Sequence, residues 1–289
     1  MSAWSADSGL HARAIDGAIG IARGFGLTVR EAVPLRSTNN LVCWLSPAPV
    51  VAKIGTGGNA RLRIELEIAQ ALIAHGGPAV SPALEIPAVV HAWEGLDVTF
   101  WQYHAQTTDA NVPPARLGAA MGRLHSTLAQ VSTAVRTRLP SYLREVEVAG
   151  AVLADAARAP ALAQTDRQLL AVAFDRLLTT LKCATQPGSH VVIHGSPHSY
   201  NVLLADGEPL FIDFETACTG PAEWDVAHLG SEAGAYYPGS LDSRLLWACR
   251  GMASVWTAAL CWCDVERGDL REHAEMHLDH VRTHVAPHL

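Results

Sequence analysis

The sequence predicts an α+β fold in which a small antiparallel β-sheet lobe with one key helix precedes a larger, mainly helical lobe. Three observations carry this reading. Short apolar runs separated by turn residues fill residues 29–103, one strong helical pattern covers Ala60 to His75 between them, and helical periodicity dominates after Pro113. With 289 residues, 49% of them hydrophobic and 17% charged, the chain can bury a substantial core. We divide it into an N-terminal lobe with a leading helix, residues 1–103, and a C-terminal lobe, residues 104–289, that share one cleft.

Gly9 to Phe25 carries Leu10, Ile15, Ala18, Ile19 and Ala22 at helical spacing, and Gly24-Phe25-Gly26 ends the pattern. Val29–Leu35 and Leu41–Leu45 read as strands flanking Arg36-Ser37-Thr38-Asn39-Asn40, a polar loop without glycine. Ser46-Pro47-Ala48-Pro49 turns the chain into the strand Val50–Ile54. Lys53 interrupts that apolar strand, and a charge placed there needs a partner. The helix that follows offers Glu65 and Glu67. Ile64, Ile68 and Leu72 flank Glu65 and favour it as the inward-facing one, with Glu67 as the alternative. Either could also be a solvated glutamate near a helix N-terminus, where negative charge is favoured. Ala88–Trp93 and Leu96–Tyr103, joined at Glu94-Gly95, form a hairpin.

Beyond Pro113-Pro114, Leu117, Met121, Leu124, His125 and Leu128 recur at helical spacing, with His125 read as a hydrogen-bonded core residue. Tyr142–Ala157, Asp166–Cys183 and Leu241–Cys263 are further helices. A final helix places His273, His277, His280 and His284 on one side, as a solvated or cleft-facing surface or as metal ligands. The six cysteines are scattered and read as free thiols. No apolar run reaches the roughly 20 residues of a membrane span, and no basic-then-apolar leader opens the chain, so a cytoplasmic protein without a membrane partner is expected. A net charge of −7 argues against a general nucleic-acid binder and fits a cationic small molecule only weakly.

The chemistry concentrates between Val191 and Ala227. Val191–Ile193 delivers His194-Gly195 and a polar loop ending at Asn201. Val202–Leu204 then turns at Asp206-Gly207 and returns through Leu210–Ile212, bringing Asp213 back beside Asn201. An amide oxygen and a carboxylate held together are hard ligands suited to Mg²⁺ carrying nucleotide phosphates.

His194-Gly195, Asn201, Ile212-Asp213-Phe214-Glu215, Gly220-Pro221, Asp225 and Ala227 together resemble the catalytic core of the aminoglycoside phosphotransferase family, small-molecule kinases of protein-kinase-like fold. The resemblance implies that Lys53 reaches the phosphates of ATP or GTP and pairs with Glu65, and that Asn201 and Asp213 hold Mg²⁺. It also implies that the loop containing Ser37 and Thr38 covers the phosphates. Trp101, Gln102, Tyr103 and His104 would then form an interlobe hinge facing the purine. His194 would brace the catalytic loop, and Asp225 would tie a later segment to it. The acceptor pocket would lie among the C-terminal helices, where Glu223, Asp242, Asp264 and Glu266 could meet a cation.

Ser196 departs from the pattern, because the family's catalytic Asp is expected there. A serine hydroxyl can orient an acceptor but is not a base at neutral pH. Three readings follow: the small-molecule acceptor is activated otherwise, by His198 or Glu215, or is already nucleophilic, such as an amine; the chain binds nucleotide without fast transfer; or Ser196 is an introduced residue. A ligand-binding module without phosphate chemistry is the alternative from another class.

Overall fold

The computed structural model describes residues 8–37, 39–105, 112–184, 190–266, 268 and 270–288. The chain opens with α1 (Ser8–Gly24), β1 (Glu31–Ser37), β2 (Leu41–Ser46), β3 (Val50–Thr56), α2 (Ala60–Ala74), β4 (His91–Trp93) and β5 (Leu96–Gln102). The helices α3 (Pro114–Leu128), α4 (Thr133–Arg136), α5 (Leu143–Ala154) and α6 (Gln164–Ala184) follow. After them come β6 (Val191–Ile193), β7 (Val202–Ala205), β8 (Glu208–Phe211), β9 (Cys218–Gly220), α7 (Ala222–His228), α8 (Gly230–Gly234), α9 (Ser243–Trp262) and α10 (Leu270–His280).

The five N-terminal strands form one antiparallel sheet in the order β1-β2-β3-β5-β4. Strand alternation decides which face each residue of β3 serves. Val50, Ala52 and Ile54 enter a core shared with Ala14, Ala18 and Ala22 of α1 and with Leu41, Cys43 and Phe100. Val51 lies against the cluster of Leu66 and Ala69 from α2 with Val80 and Trp101. Lys53 shares the Val51 side, so its alkyl stem runs along apolar surface while its charge meets α2. The Asn59 side chain caps α2 by accepting from the Arg61 N–H at 3.0 Å.

Both sequence-predicted tight turns have the expected geometry. Glu94 and Gly95 adopt φ of 45° and 80°, and Asp206 and Gly207 adopt 52° and 80°, the pair of positive values that joins twisted antiparallel strands through two residues. The second turn closes β7 on β8 with Val202 opposite Phe211. Phe211 is fully buried among Ile68 and Leu72 of α2 and Met121, Leu124 and Leu128 of α3. Its backbone is stitched to the segment after α2, donating to the Pro78 carbonyl at 2.9 Å and accepting from Val80 at 3.2 Å. A separate core gathers α5, α6, α9 and α10 around Tyr142, Trp224 and Met252.

Two expectations need correction, and one pairing was unforeseen. The strand placed at 88–93 covers only His91–Trp93, because the Val89 N–H closes a tight turn onto the Pro87 carbonyl. The pairing of β6 with β9, Val191 opposite Gly220, was not anticipated. The last helix does not continue unchanged through His284: α10 ends at His280 and widens into a π-type turn, Val281–Val285, which keeps Val281 and Val285 both in the core. No helix among the described residues is long and apolar enough to cross a membrane.

Phe211→Ala should cost about 3–5 kcal/mol in urea unfolding, the range for deleting a buried aromatic ring. A loss below about 1 kcal/mol would show that β8 is not anchored through this side chain.

Candidate active site

Lys53 stands at the centre of a cluster of charge. Its Nζ lies 2.8 and 3.0 Å from the two Glu65 oxygens, 2.7 Å from Asp213 Oδ1 and 2.7 Å from Glu215 Oε1. Burial works against the ammonium, but attraction to Glu65, Asp213 and Glu215 overrides it and keeps Lys53 charged far above its ordinary range. Glu65 is 2% exposed. Its burial pushes the carboxyl up, Lys53 opposes that, and the charges of Asp213 and Glu215 reinforce it. Burial would also raise the Asp213 carboxyl, yet Lys53, and then Arg36, hold it below the usual carboxylate range. Glu67 turns outward to pair with Arg138, so the choice between the two glutamates falls on Glu65.

Asp213 adopts φ 68° and ψ 53°, a left-handed conformation that Asp tolerates better than most side chains and that aims its carboxylate at Lys53. Opposite it, Arg36 Nη1 donates to Asn201 Oδ1 at 3.1 Å and lies 3.8 Å from Asp213 Oδ2. One cationic nitrogen thus already bridges the amide oxygen and the carboxylate, which marks a position where positive charge is favoured. Glu65, Asp213 and Glu215 also present oxygens all within 4.8 Å of one another. Those three carboxylates close on Lys53 Nζ, whereas Asn201 Oδ1 and Asp213 Oδ2, which share Arg36, are hard oxygen donors that fit a magnesium ion and would hold it.

The loop after β6 that the sequence marks as the candidate catalytic loop is supported from below by Asp225, which is fully buried. Asp225 Oδ2 accepts from the His194 N–H at 2.8 Å and from His125 Nε2 at 2.9 Å, while Oδ1 accepts from the Gly195 N–H at 2.8 Å. Burial would raise this carboxyl, but the hydrogen bond and charge of His125 and the Gly195 N–H hold it below its ordinary value. Gly195 has φ +90°, and an added Cβ would meet the Thr216 carbonyl oxygen at 2.1 Å, so only glycine fits. His194, fully buried, donates from Nε2 to the Ile212 carbonyl at 2.9 Å. It braces the loop against the β8 end and cannot itself meet a substrate. Ser196 is 5% exposed, and its carbonyl accepts from Asn201 Nδ2 at 3.0 Å.

Arg36, Asn40, Lys53, Glu65 and Asp213 line a cleft of about 490 Å³ whose apolar walls include Val42, Val51, Val80, Trp101 and Leu203, a size and character suited to a small organic ligand. Gln102, Tyr103 and His104 border it. The Gln102 and Tyr103 N–H groups already donate to the Ser81 and Pro49 carbonyls at 2.9 and 2.8 Å, so a purine would use other groups of that segment. The Ser37 hydroxyl meets His11 Nε2 at 3.3 Å, and Thr38 lies outside the described residues. β1 runs on through Ser37, so Arg36 belongs to the strand rather than to the expected loop, and both Arg36 and Asn40 reach the site. A bulge between Pro34 and Arg36 shifts the register and re-aims the guanidinium.

Glu215 does not stand free to activate an acceptor: it holds Lys53 and also accepts from Asn40 Nδ2. Of the acidic groups expected to meet a cation, Glu223 accepts the Asp242 N–H at 2.9 Å and Asp242 caps α9, so both serve the fold. Of the histidines near the C-terminus, His277 meets Ser254 Oγ at 3.3 Å, and burial and then His280 push it down to about 4. The His280 and His284 rings lie 4.8 Å apart, and His273 faces Tyr200 of the catalytic loop, ring centroids 6.1 Å apart. The reach of Arg36 to Asn201 and Asp213 and the contact of Glu215 with Lys53 were not anticipated from the sequence.

A family model described as the phosphotransferase enzyme family matches residues 32–250. No curated sequence matches. Solved structures of similar fold include the amicoumacin kinase hAmiN in complex with AMP-PNP, Ca²⁺ and Ami, at TM-score 0.71 and 15% identity over 96% of this chain and 97% of that one. The spectinomycin phosphotransferase APH(9)-Ia, in complex with ADP and spectinomycin, has TM-score 0.67 and 16% identity over 94% and 98%. A choline/ethanolamine kinase family protein from Mesorhizobium loti has TM-score 0.63 and 18% identity over 94% and 92%. The α+β, protein-kinase-like fold is common to all three.

Asp225 has a depressed folded pKa. It therefore contributes stability that is present above its unfolded value of about 3.9 and is lost as pH falls through the lower folded value. Asp225→Asn should lower unfolding stability at pH 7 by on the order of 3 kcal/mol, and the gap to the wild type should narrow at pH below about 4. A gap that stays constant with pH in urea titrations would contradict the clamp.

Proposed function

Because this chain belongs to the phosphotransferase enzyme family, we propose that it moves the γ-phosphoryl group of ATP or GTP to a hydroxyl or amine of a small molecule, with Mg²⁺ as its cation. The observation that carries this reading is the convergence of Lys53 with Glu65, Asp213 and Glu215, with Arg36 held between Asn201 and Asp213, at a cleft lined by Arg36, Lys53, Glu65 and Asp213. Phosphoryl transfer proceeds through a loose transition state, so the protein's contribution is positioning and neutralisation of charge. Lys53 would hold the α- and β-phosphates, and Arg36 would add a second cationic contact. Asn201 and Asp213 would hold the metal. When bound, the metal neutralises charge on the phosphate oxygens.

In this reading residues 1–103 supply the nucleotide half of the cleft and residues 104–289 the catalytic loop and the acceptor pocket. A cytoplasmic setting, where nucleoside triphosphates are abundant, suits it. The nucleotide complexes of the structural neighbours support the choice of co-substrate, and their spectinomycin and Ami complexes support an aminoglycoside-like, amino alcohol or sugar acceptor. Ser196 favours a second reading, a nucleotide-binding pseudokinase or ligand-binding module without fast transfer.

Incubation with Mg-ATP or Mg-GTP and a panel of aminoglycosides, amino alcohols and sugars should give one acceptor heavier by a phosphoryl group in mass spectrometry. Mg²⁺-dependent nucleotide binding in calorimetry without any product would select the second reading. Absence of nucleotide binding would remove both nucleotide readings.

A further inference from the structure

Arg36 stands on β1, an edge strand of the N-terminal sheet, beside the bulge between Pro34 and Arg36. Its side chain is 35% exposed and lines the cleft. The polar contacts that hold it among the described residues are to Asn201 Oδ1 at 3.1 Å and to Asp213 Oδ2 at 3.8 Å, both made by Nη1.

Those two oxygens are the ones the site leaves for a metal. Asp213 Oδ1 is committed to Lys53 Nζ at 2.7 Å. The Asn201 amide is oriented from its other end, where Nδ2 donates to the Ser196 carbonyl at 3.0 Å, so Oδ1 is the atom that faces Arg36. A cation that uses Asn201 Oδ1 and Asp213 Oδ2 therefore needs the atoms that one guanidinium nitrogen already holds. Arg36 cannot make room by losing its charge, because a guanidinium stays protonated in a protein. Beside a divalent ion it would be repelled at these short distances.

The two basic residues of the site differ in how firmly they are held. Lys53 has a side chain only 9% exposed and is closed in by Glu65, Asp213 and Glu215, so it stays. Arg36 has one hydrogen bond, one longer charge contact and water on its open side. Turning away costs it both contacts unless a new anionic partner is at hand. The phosphates of a nucleotide in the same cleft are such a partner, since their oxygens match the planar donor fork of a guanidinium.

We propose that Arg36 occupies the metal position of the resting site and yields it only when a nucleotide's phosphates receive the guanidinium, so that the divalent cation enters with the nucleotide and not before it. This rests on the phosphotransferase reading. Asp213 Oδ2 keeps a cationic partner in both states, first Arg36 and then the metal. By linkage, metal and nucleotide then raise the protein's affinity for each other by the same factor.

The test uses the full chain, Mn²⁺ as the metal probe and AMP-PNP as the nucleotide, with equilibrium dialysis to measure what the protein retains. Arg36→Met keeps an apolar stem and removes the charge. It should retain free Mn²⁺ about tenfold more tightly than the wild type, within the usual range of coupling between sites, and its preference for Mn-AMP-PNP over free Mn²⁺ should shrink. Arg36→Lys, which keeps the charge, should retain free Mn²⁺ within about threefold of the wild type. Free Mn²⁺ retained equally by the wild type and Arg36→Met, or a gain as large in Arg36→Lys as in Arg36→Met, overturns the proposal while retention of Mn-AMP-PNP by the wild type keeps the phosphotransferase reading. A wild type that retains free Mn²⁺ as tightly as Mn-AMP-PNP overturns the proposal without any variant. A wild type that retains no AMP-PNP in the presence of Mn²⁺ overturns the phosphotransferase reading and this proposal with it.

Discussion

Three carboxylates converge on one buried ammonium, and they come from different parts of the chain: Glu65 from α2, and Asp213 and Glu215 from the segment after β8, all meeting Lys53 of β3. A buried charge left without its partner costs about 3–5 kcal/mol, so the positions of sheet, helix and hairpin are coupled through this one nitrogen. Apolar packing brings the partners to the place where the contact can form. Phe211 sits in the core beneath α2 and α3 two residues before Asp213, and its backbone is tied to the strand-like segment after α2. Asn40 extends the network into the β1–β2 loop through Glu215. The sheet, α2 and the segment after β8 are thereby registered with one another without a ligand, which is the positioning the proposed phosphoryl transfer would draw on.

The catalytic loop depends on a second charge, Asp225, and its supports do not pass through the side chain of residue 196. His194 and Gly195 are held by their own N–H groups on the Asp225 carboxylate, and Asn201 is held by the Ser196 carbonyl, a backbone atom. The loop therefore keeps its shape with serine in place of aspartate. In the proposed function, what serine changes is local chemistry: it offers no carboxylate at position 196, while the contacts of Lys53, Asn201 and Asp213 do not involve its side chain.

Much of this was legible in the sequence because it rests on local rules. The turns at Glu94-Gly95 and Asp206-Gly207, the helices marked by apolar periodicity and the recurrence of His194, Asn201 and Asp213 each follow from short-range pattern. The inward choice of Glu65 followed from its apolar neighbours. The parts that escaped depend on long-range geometry. Arg36 is one polar residue in a polar loop until a bulge aims it at Asn201 and Asp213, residues far away in sequence. Glu223 and Asp242 read as free acids because nothing in the sequence shows that one accepts the other's N–H.

The central claim is that one preassembled cluster around Lys53, Asn201 and Asp213 receives a metal–nucleotide pair. Hydrogen–deuterium exchange with and without Mg-AMP-PNP tests it most directly. Exchange should slow across Val50 to Glu65 and Val191 to Asp213 and stay unchanged in α6 and α9. Identical exchange in both states throughout these segments would contradict it.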